Sequence, residues 1–130
     1  MIKFIMRKII LATFLAAIIF IFGCTKSPEI LDGSGKFDDN VRVINIKASR
    51  FNFEPNTIIV NKGEVVRLII KSQDVAHGFA LPDFNINEQV PAGKQVTIEF
   101  TASKQGTFPF LCTVYCGEGH SSMKGDLTVK

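Results

Sequence analysis

The stretch Asn61-Lys-Gly-Glu-Val-Val-Arg-Leu-Ile-Ile-Lys71 indicates the fold class of this chain most clearly. It opens with the turn signal Asn-Lys-Gly and continues as an alternation of apolar and charged side chains. Val66, Leu68 and Ile70 share one face of an extended strand, whereas Arg67 and Lys71 lie on the other. The pattern predicts a β-strand with one face in a core and the other in solvent.

Segments of the same kind recur along residues 41–130. Turn residues separate them about every ten positions, and neither a long helical period nor an internal repeat is evident. This length suffices for one core and no more. We therefore expect a single all-β domain, an antiparallel β-sandwich, over residues 41–130. The predicted strands include Val41–Ile46, Ile58–Val60, Glu64–Ile70, Val96–Phe100, the run from Phe108 to Cys112, and Asp126–Val129.

Four possible metal ligands lie close together in the segment Cys112-Thr-Val-Tyr-Cys116-Gly-Glu-Gly-His120-Ser-Ser-Met123. A further histidine, His77, stands upstream. Thiolate, imidazole and thioether are the ligands that copper prefers, whereas structural zinc rarely recruits methionine. A single blue-copper ion would use one cysteine, two histidines and an axial methionine, which would leave the second cysteine over. The count therefore favours two coppers bridged by two thiolates.

Simpler interpretations of these residues stay open. The two cysteines could form a disulfide or remain as buried thiols in a secreted domain. His77 alone could be a structural histidine, and Met123 alone could fill a core. A histidine and a methionine in register with both cysteines favour the metal site over these alternatives.

The spacing Cys-x3-Cys-x3-His-x2-Met resembles the copper-A loop of cytochrome c oxidase subunit II and of nitrous oxide reductase. The run Ser72-Gln-Asp-Val-Ala-His77-Gly-Phe-Ala-Leu-Pro82 is similar to the first histidine segment of that family. The resemblance covers roughly residues 41–130 and implies a cupredoxin-like Greek-key β-sandwich. It also implies that Cys112 and Cys116 bridge two copper ions.

The same resemblance assigns the remaining ligands. His77 and Met123 would complete one copper, and His120 with the main-chain carbonyl of Val114 would complete the other. Beside the ligands, we expect Asp74 to orient the His77 imidazole and Phe79 to shield the metal. A solvated turn aspartate is the alternative interpretation of Asp74.

The N-terminus has the composition of an export signal. Three basic residues precede an apolar run over residues 9–22, and Gly23-Cys24 closes it. The run is shorter than the roughly 20 residues that span a bilayer as a helix. Residues 21–24 resemble the lipobox of bacterial lipoproteins, which implies cleavage of residues 1–23 and lipidation of Cys24. The alternative is a single uncleaved membrane anchor. Residues 24–40, with few apolar positions, are expected to form a flexible tether.

The net charge of +3 comes from this signal alone, since Lys3, Arg7 and Lys8 are its basic residues. From Cys24 onward, twelve basic residues balance twelve acidic ones. A neutral domain gives no indication of nucleic-acid binding.

A copper pair enclosed by protein ligands suits electron transfer better than catalysis, so we expect no autonomous active site. The sequence thus predicts an extracytoplasmic, membrane-tethered electron carrier, periplasmic or at the cell surface. It would accept electrons from a cytochrome c or a cupredoxin and pass them to a haem-copper oxidase or another terminal reductase, either as a stand-alone carrier or as an oxidase subunit. The alternative is a copper chaperone that delivers metal to an oxidase. Thioredoxin-like copper chaperones also carry Cys-x3-Cys, but proline follows their second cysteine, whereas Gly117 stands here.

Overall fold

The computed structural model describes residues 33–130, which form ten β-strands and two short 3-10 turns. The strands are β1 (Lys36–Asp38), β2 (Val41–Ser49), β3 (Asn52–Glu54), β4 (Thr57–Val60), β5 (Val65–Ser72), β6 (His77–Leu81), β7 (Ile86–Val90), β8 (Gln95–Thr101), β9 (Gly106–Leu111) and β10 (Lys124–Val129). The 3-10 turns cover Pro82–Phe84 and His120–Ser122. Within the described part of the chain, no helix is long and apolar enough to cross a membrane.

The first sheet has the strand order β1-β2-β5-β8, with β3 paired to β2. Its central strand, β5, shows the predicted alternation. Val66, Leu68 and Ile70 are at most 1% exposed, whereas Lys71 faces solvent and Arg67 is partly exposed. The apolar side chains of this strand therefore fix which face of the first sheet meets the core.

The second sheet has the order β4-β10-β9-β6-β7 and carries the predicted metal ligands. The cupredoxin-like β-sandwich is confirmed, but the expectation of purely antiparallel sheets was wrong. β2 pairs with β5 in parallel, and so does β4 with β10. The chain passes through β4 in the second sheet before it returns to the first as β5, so the returning strand runs in the same direction as β2. Turn signals mark where a chain reverses, but they do not show which sheet the next strand joins.

Three phenylalanines fill the core behind the ligand-bearing end of the second sheet. Phe53, Phe79 and Phe110 are fully buried, and their ring centroids lie 5.1–5.6 Å apart. Two of the three pairs meet edge to face, the arrangement that aromatic quadrupoles favour. Phe79 and Phe110 lie two residues from His77 and Cys112, so the three rings form an aromatic floor next to the predicted ligands.

The folded domain begins before the predicted boundary at Val41. β1 pairs with β2, and the Ser34 amide donates to the Ile59 carbonyl at 2.7 Å. β1 thus lies within residues 24–40, which were expected to form a flexible tether. All three residues of β1 are exposed, so the strand contributes no buried side chain and leaves no apolar period in the sequence. The predicted signal, Cys24 and most of the tether lie outside the described residues.

Candidate metal centre

The loop that bears five of the six predicted donor groups connects β9 to β10. The Cys112 amide donates to the Met123 carbonyl at 3.0 Å, so the antiparallel pairing of the two strands closes the loop at its base. Within the loop, the His120 amide donates to the Gly117 carbonyl at 3.0 Å. Cys112 and Met123 therefore lie opposite each other where β9 ends and β10 begins, and the loop folds His120 back towards them.

The remaining ligand, His77, begins β6, the strand that neighbours β9 in the sheet. The next residue is a glycine because the cysteine loop crosses directly over it. A Cβ at Gly78 would lie 2.8 Å from the amide nitrogens of Thr113 and Val114. The Gly78 amide instead donates to the Cys112 sulfur at 3.4 Å. The missing side chain at Gly78 thus allows the two ligand segments to meet.

The structure brings all six predicted donor groups together. The ligand atoms of His77, Cys112 and Cys116 all lie within 4.8 Å of one another. Cys112 Sγ is 4.0 Å from His77 Nδ1 and 3.2 Å from the Val114 carbonyl oxygen. Cys116 Sγ is 3.7 Å from His120 Nδ1 and 3.8 Å from Met123 Sδ. Each bridging sulfur would bind both ions, so these contacts do not show which copper each of the other ligands binds. The assignment of those ligands to the two coppers remains a prediction.

Most of the site is shielded from water. His77, Cys112, Cys116 and Met123 are each at most 5% exposed. His120 is half-buried, and its ring centroid lies 5.8 Å from that of Tyr115, which is 75% exposed. Solvent therefore comes nearest to the donor cluster on the side of His120.

Asp74 lies where the sequence analysis expected it, against the His77 ring. Its Oδ1 is 2.7 Å from His77 Nε2, and it also accepts the amides of Val75 and Arg50 at 2.7 and 2.8 Å. Burial opposes the ionisation of Asp74, but these hydrogen bonds outweigh it and hold the pKa of the carboxyl below its usual value. With a proton on Nε2 shared with the carboxylate, Nδ1 presents its lone pair to the two sulfurs.

The two cysteines are buried, free thiols in the structure and do not form the disulfide considered above. Burial raises the pKa of the Cys116 thiol, and the neighbouring Cys112 raises it further. Two thiolates side by side in a dry site would repel each other, and a soft cation between them would relieve that cost. The donor set and its surroundings therefore fit copper.

Phe79 lies two residues along β6 from His77 and packs in the core trio with Phe53 and Phe110. It is fully buried. Its predicted role as a shield for the metal remains a prediction.

Sequence reasoning missed two residues that touch the loop, Arg50 and Phe51. Arg50 Nε donates to the Cys116 carbonyl at 3.0 Å. The Phe51 ring lies so close under Gly117 and Gly119 that a Cβ on either glycine would clash with it. The segment lies between β2 and β3, 66 residues before Cys116, and no local motif marks it.

Comparisons with known proteins agree with the site. The model of the cupredoxin-like domain family matches residues 13–129. Over 91 residues the chain is 36% identical to cytochrome c oxidase subunit 2 of Thermus thermophilus, covering 70% of this chain and 67% of that relative. Nitrous-oxide reductase of Cupriavidus necator is 31% identical over 102 residues, which are 75% of this chain but 16% of the reductase.

Among solved structures, the periplasmic domain of cytochrome oxidase subunit II from Bradyrhizobium japonicum shares the fold. The TM-score is 0.62 at 23% identity, over 68% of this chain and 83% of that domain. The chain therefore belongs to the cupredoxin-like domain family, as a copper-A-type member related to cytochrome c oxidase subunit 2.

Proposed function

We propose that this protein is an electron carrier with a binuclear copper-A centre. The observation that supports this most is the buried cluster of His77, Cys112 and Cys116, with His120 and Met123 in contact with Cys116. A copper pair bound there would accept and release one electron at a time. The protein's part is to hold its own ligands still while the charge changes.

The ligands have distinct tasks in this proposal. Cys112 and Cys116 would bridge the metals, while His77 and His120 would each bind one. The Met123 thioether and the Val114 carbonyl would serve as weak ligands that tune the potential. His77 and Cys112 are fixed by β6 and by the base of the loop, which keeps their movement on reduction small.

Electrons would enter and leave on the side of His120, the least buried of the side-chain donors. The exposed Tyr115 ring beside it offers an apolar surface for a partner. We propose a cytochrome c or a cupredoxin as donor and a haem-copper oxidase or another terminal reductase as acceptor. The named relative, cytochrome c oxidase subunit 2, supports an oxidase as acceptor. Co-purification of oxidase subunits with the full-length chain would test this assignment.

We place the domain outside the cytoplasm, tied to a membrane through a lipidated Cys24. The basic and apolar N-terminus and the Gly23-Cys24 boundary support this. Mass spectrometry of the mature protein should find residues 1–23 missing and acyl chains on Cys24. An intact N-terminus without acyl mass would favour the uncleaved anchor.

The copper count and the electron spin resonance spectrum test the central proposal. Two coppers per chain and hyperfine lines from an electron shared by both nuclei are expected. One copper with a mononuclear spectrum would contradict the binuclear site. Reversible redox cycling with copper retained through gel filtration distinguishes a carrier from a copper chaperone, which would lose its metal to a competing acceptor.

A further inference from the structure

One residue in the turn between β2 and β3 contacts both segments that carry the predicted ligands. The Arg50 amide donates to Asp74 Oδ2 at 2.8 Å, and Asp74 in turn holds the His77 ring. The Arg50 side chain reaches the other way, and its Nε donates to the Cys116 carbonyl at 3.0 Å. Arg50 therefore links the histidine segment to the cysteine loop, although it lies 24 residues before one and 66 before the other.

We propose that Arg50 is a positioning residue of the metal centre, which braces Cys116 against the His77 segment and places a fixed positive charge at the Cys116 carbonyl. This inference rests on the proposed function for its effect on copper. The brace itself is a property of the metal-free fold.

The loop has few other links to the first sheet. The main-chain hydrogen bonds described above join Cys112 to Met123 and His120 to Gly117, all within the loop and its base. Phe51, the residue after Arg50, supports the loop from below by lying under Gly117 and Gly119. Residues 50–51 thus act together on the segment that carries Cys116 and His120, through their main chain, the Arg50 guanidinium and the Phe51 ring.

The charge of Arg50 should act on the potential of the centre. A guanidinium stays protonated at every working pH, so it presents a permanent positive charge. Reduction adds an electron to the site, and a nearby positive charge favours the reduced form. Arg50 is solvent-exposed and lines a shallow depression of about 390 Å³ with Val75, Ala76, Tyr115, Cys116 and Gly117. Water therefore weakens this electrostatic effect but leaves its direction unchanged.

Three variants of the full-length chain separate the brace from the charge. Arg50→Met removes both, whereas Arg50→Lys keeps the charge but loses the planar Nε donor. Arg67→Met is the control, because it removes an arginine that pairs with Glu99 and Asp38 on the first sheet. The measurements are the rate of copper transfer to a copper(I) chelator, the reduction potential, and amide hydrogen exchange of residues 117–120 in the metal-free protein.

We expect Arg50→Met to lose copper about tenfold faster than the wild type, because it lacks one charge-assisted hydrogen bond. Its potential should fall, and its metal-free loop should exchange faster. Arg50→Lys should recover the potential but not the full copper retention, and Arg67→Met should match the wild type. Should Arg50→Met fail to fold, the comparison of Arg50→Lys with the wild type decides whether the Arg50 side chain holds the loop.

Copper retention and loop exchange in Arg50→Met equal to those of the wild type would overturn the brace. Equal potential shifts in Arg50→Met and Arg67→Met would overturn the local effect of the charge. If the wild type binds no copper pair, the proposed function fails. Hydrogen exchange in the metal-free protein then still decides whether Arg50 holds the loop.

Discussion

Replacing Glu64 by glutamine should destabilise the fold in a way that disappears in acid. Glu64 accepts a hydrogen bond from Arg42 Nη2 at 2.7 Å, and Arg42 Nε forms a second one with the same carboxylate. The Asn61 amide and side chain donate to it at 3.1 and 2.8 Å. The Arg42 side chain is 4% exposed and that of Glu64 15%, so this ion pair is well shielded from water. The pair joins β2 to the turn before β5.

The magnitude follows from the pKa of Glu64. The hydrogen bond from Arg42 is the largest cause that lowers this pKa from 4.5 to about 2, against the opposing effect of burial. Each pKa unit of difference between the folded and unfolded states is worth about 1.4 kcal/mol, so the carboxylate contributes about 3 kcal/mol at neutral pH. Because the folded pKa is the lower one, this stability is complete above pH 4.5 and is lost as the pH falls to about 2.

Urea unfolding of the metal-free protein, followed by circular dichroism from pH 7 to pH 2, measures the effect. At pH 7 Glu64→Gln should lose about 3 kcal/mol, since it leaves Arg42 as a buried charge without its anion. The difference in unfolding free energy between Glu64→Gln and the wild type should shrink as Glu64 becomes protonated. The other carboxyl groups are the same in both proteins, so their titration cancels in this difference. Glu99→Gln is the matched control, because Glu99 pairs with Arg67 at the surface, where such pairs contribute about 0–1 kcal/mol. A gap that stays constant with pH, or one no larger than that of the control, would refute the reasoning.

Three further variants test the site. Cys116→Ser should abolish the shared-electron spectrum, because a hydroxyl is a poor bridge for copper, whereas Met123→Leu should keep the pair and shift its potential; equal behaviour of the two would contradict the ligand hierarchy. Asp74→Asn should weaken copper binding about 10–100-fold in a chelator competition, because the amide cannot accept from His77, Val75 and Arg50 as the carboxylate does; unchanged affinity would make Asp74 a surface residue. Gly119→Ala should destabilise the metal-free protein by about 1–3 kcal/mol in the same urea assay, because the new methyl group meets the Phe51 ring while the φ of −86° at Gly119 suits any residue; Gly93→Ala, with open space around it but a φ of +67°, measures backbone strain without a clash, and a Gly119→Ala variant as stable as the wild type would contradict the contact.

The sequence predicts the fold class and singles out the candidate donor groups because both have short-range signals. The spacing of the two cysteines, His120 and Met123 is local, and the alternation in Val65–Ser72 shows directly which side chains face the core. Asp74 was also within reach, since a residue three positions before a histidine in a turn can contact its ring. These are features that neighbouring residues determine among themselves.

The features that the sequence did not reveal depend on contacts between distant segments. The parallel pairing of β2 with β5 depends on the intervening β4 joining the other sheet. β1 has no buried side chain, so hydropathy does not distinguish it from a tether. The role of Arg50 is of the same kind, because an exposed arginine in a turn resembles any other until Cys116 is placed beside it.

The placement of the donors on the fold favours a carrier over a chaperone. His77 and Met123 are at or beside the ends of two strands of the second sheet, and Cys112 follows the end of β9 between them. These three donors are buried and joined to one another through the sheet or the base of the loop. A chaperone must open its site to hand over metal, and here opening would break β-sheet hydrogen bonds and expose the aromatic floor. Cys116 and His120 lie on the loop between these fixed points, so release of copper would have to begin there. That is the segment that Arg50 and Phe51 hold from the first sheet, which explains why an exposed arginine should govern how long the protein retains its metal.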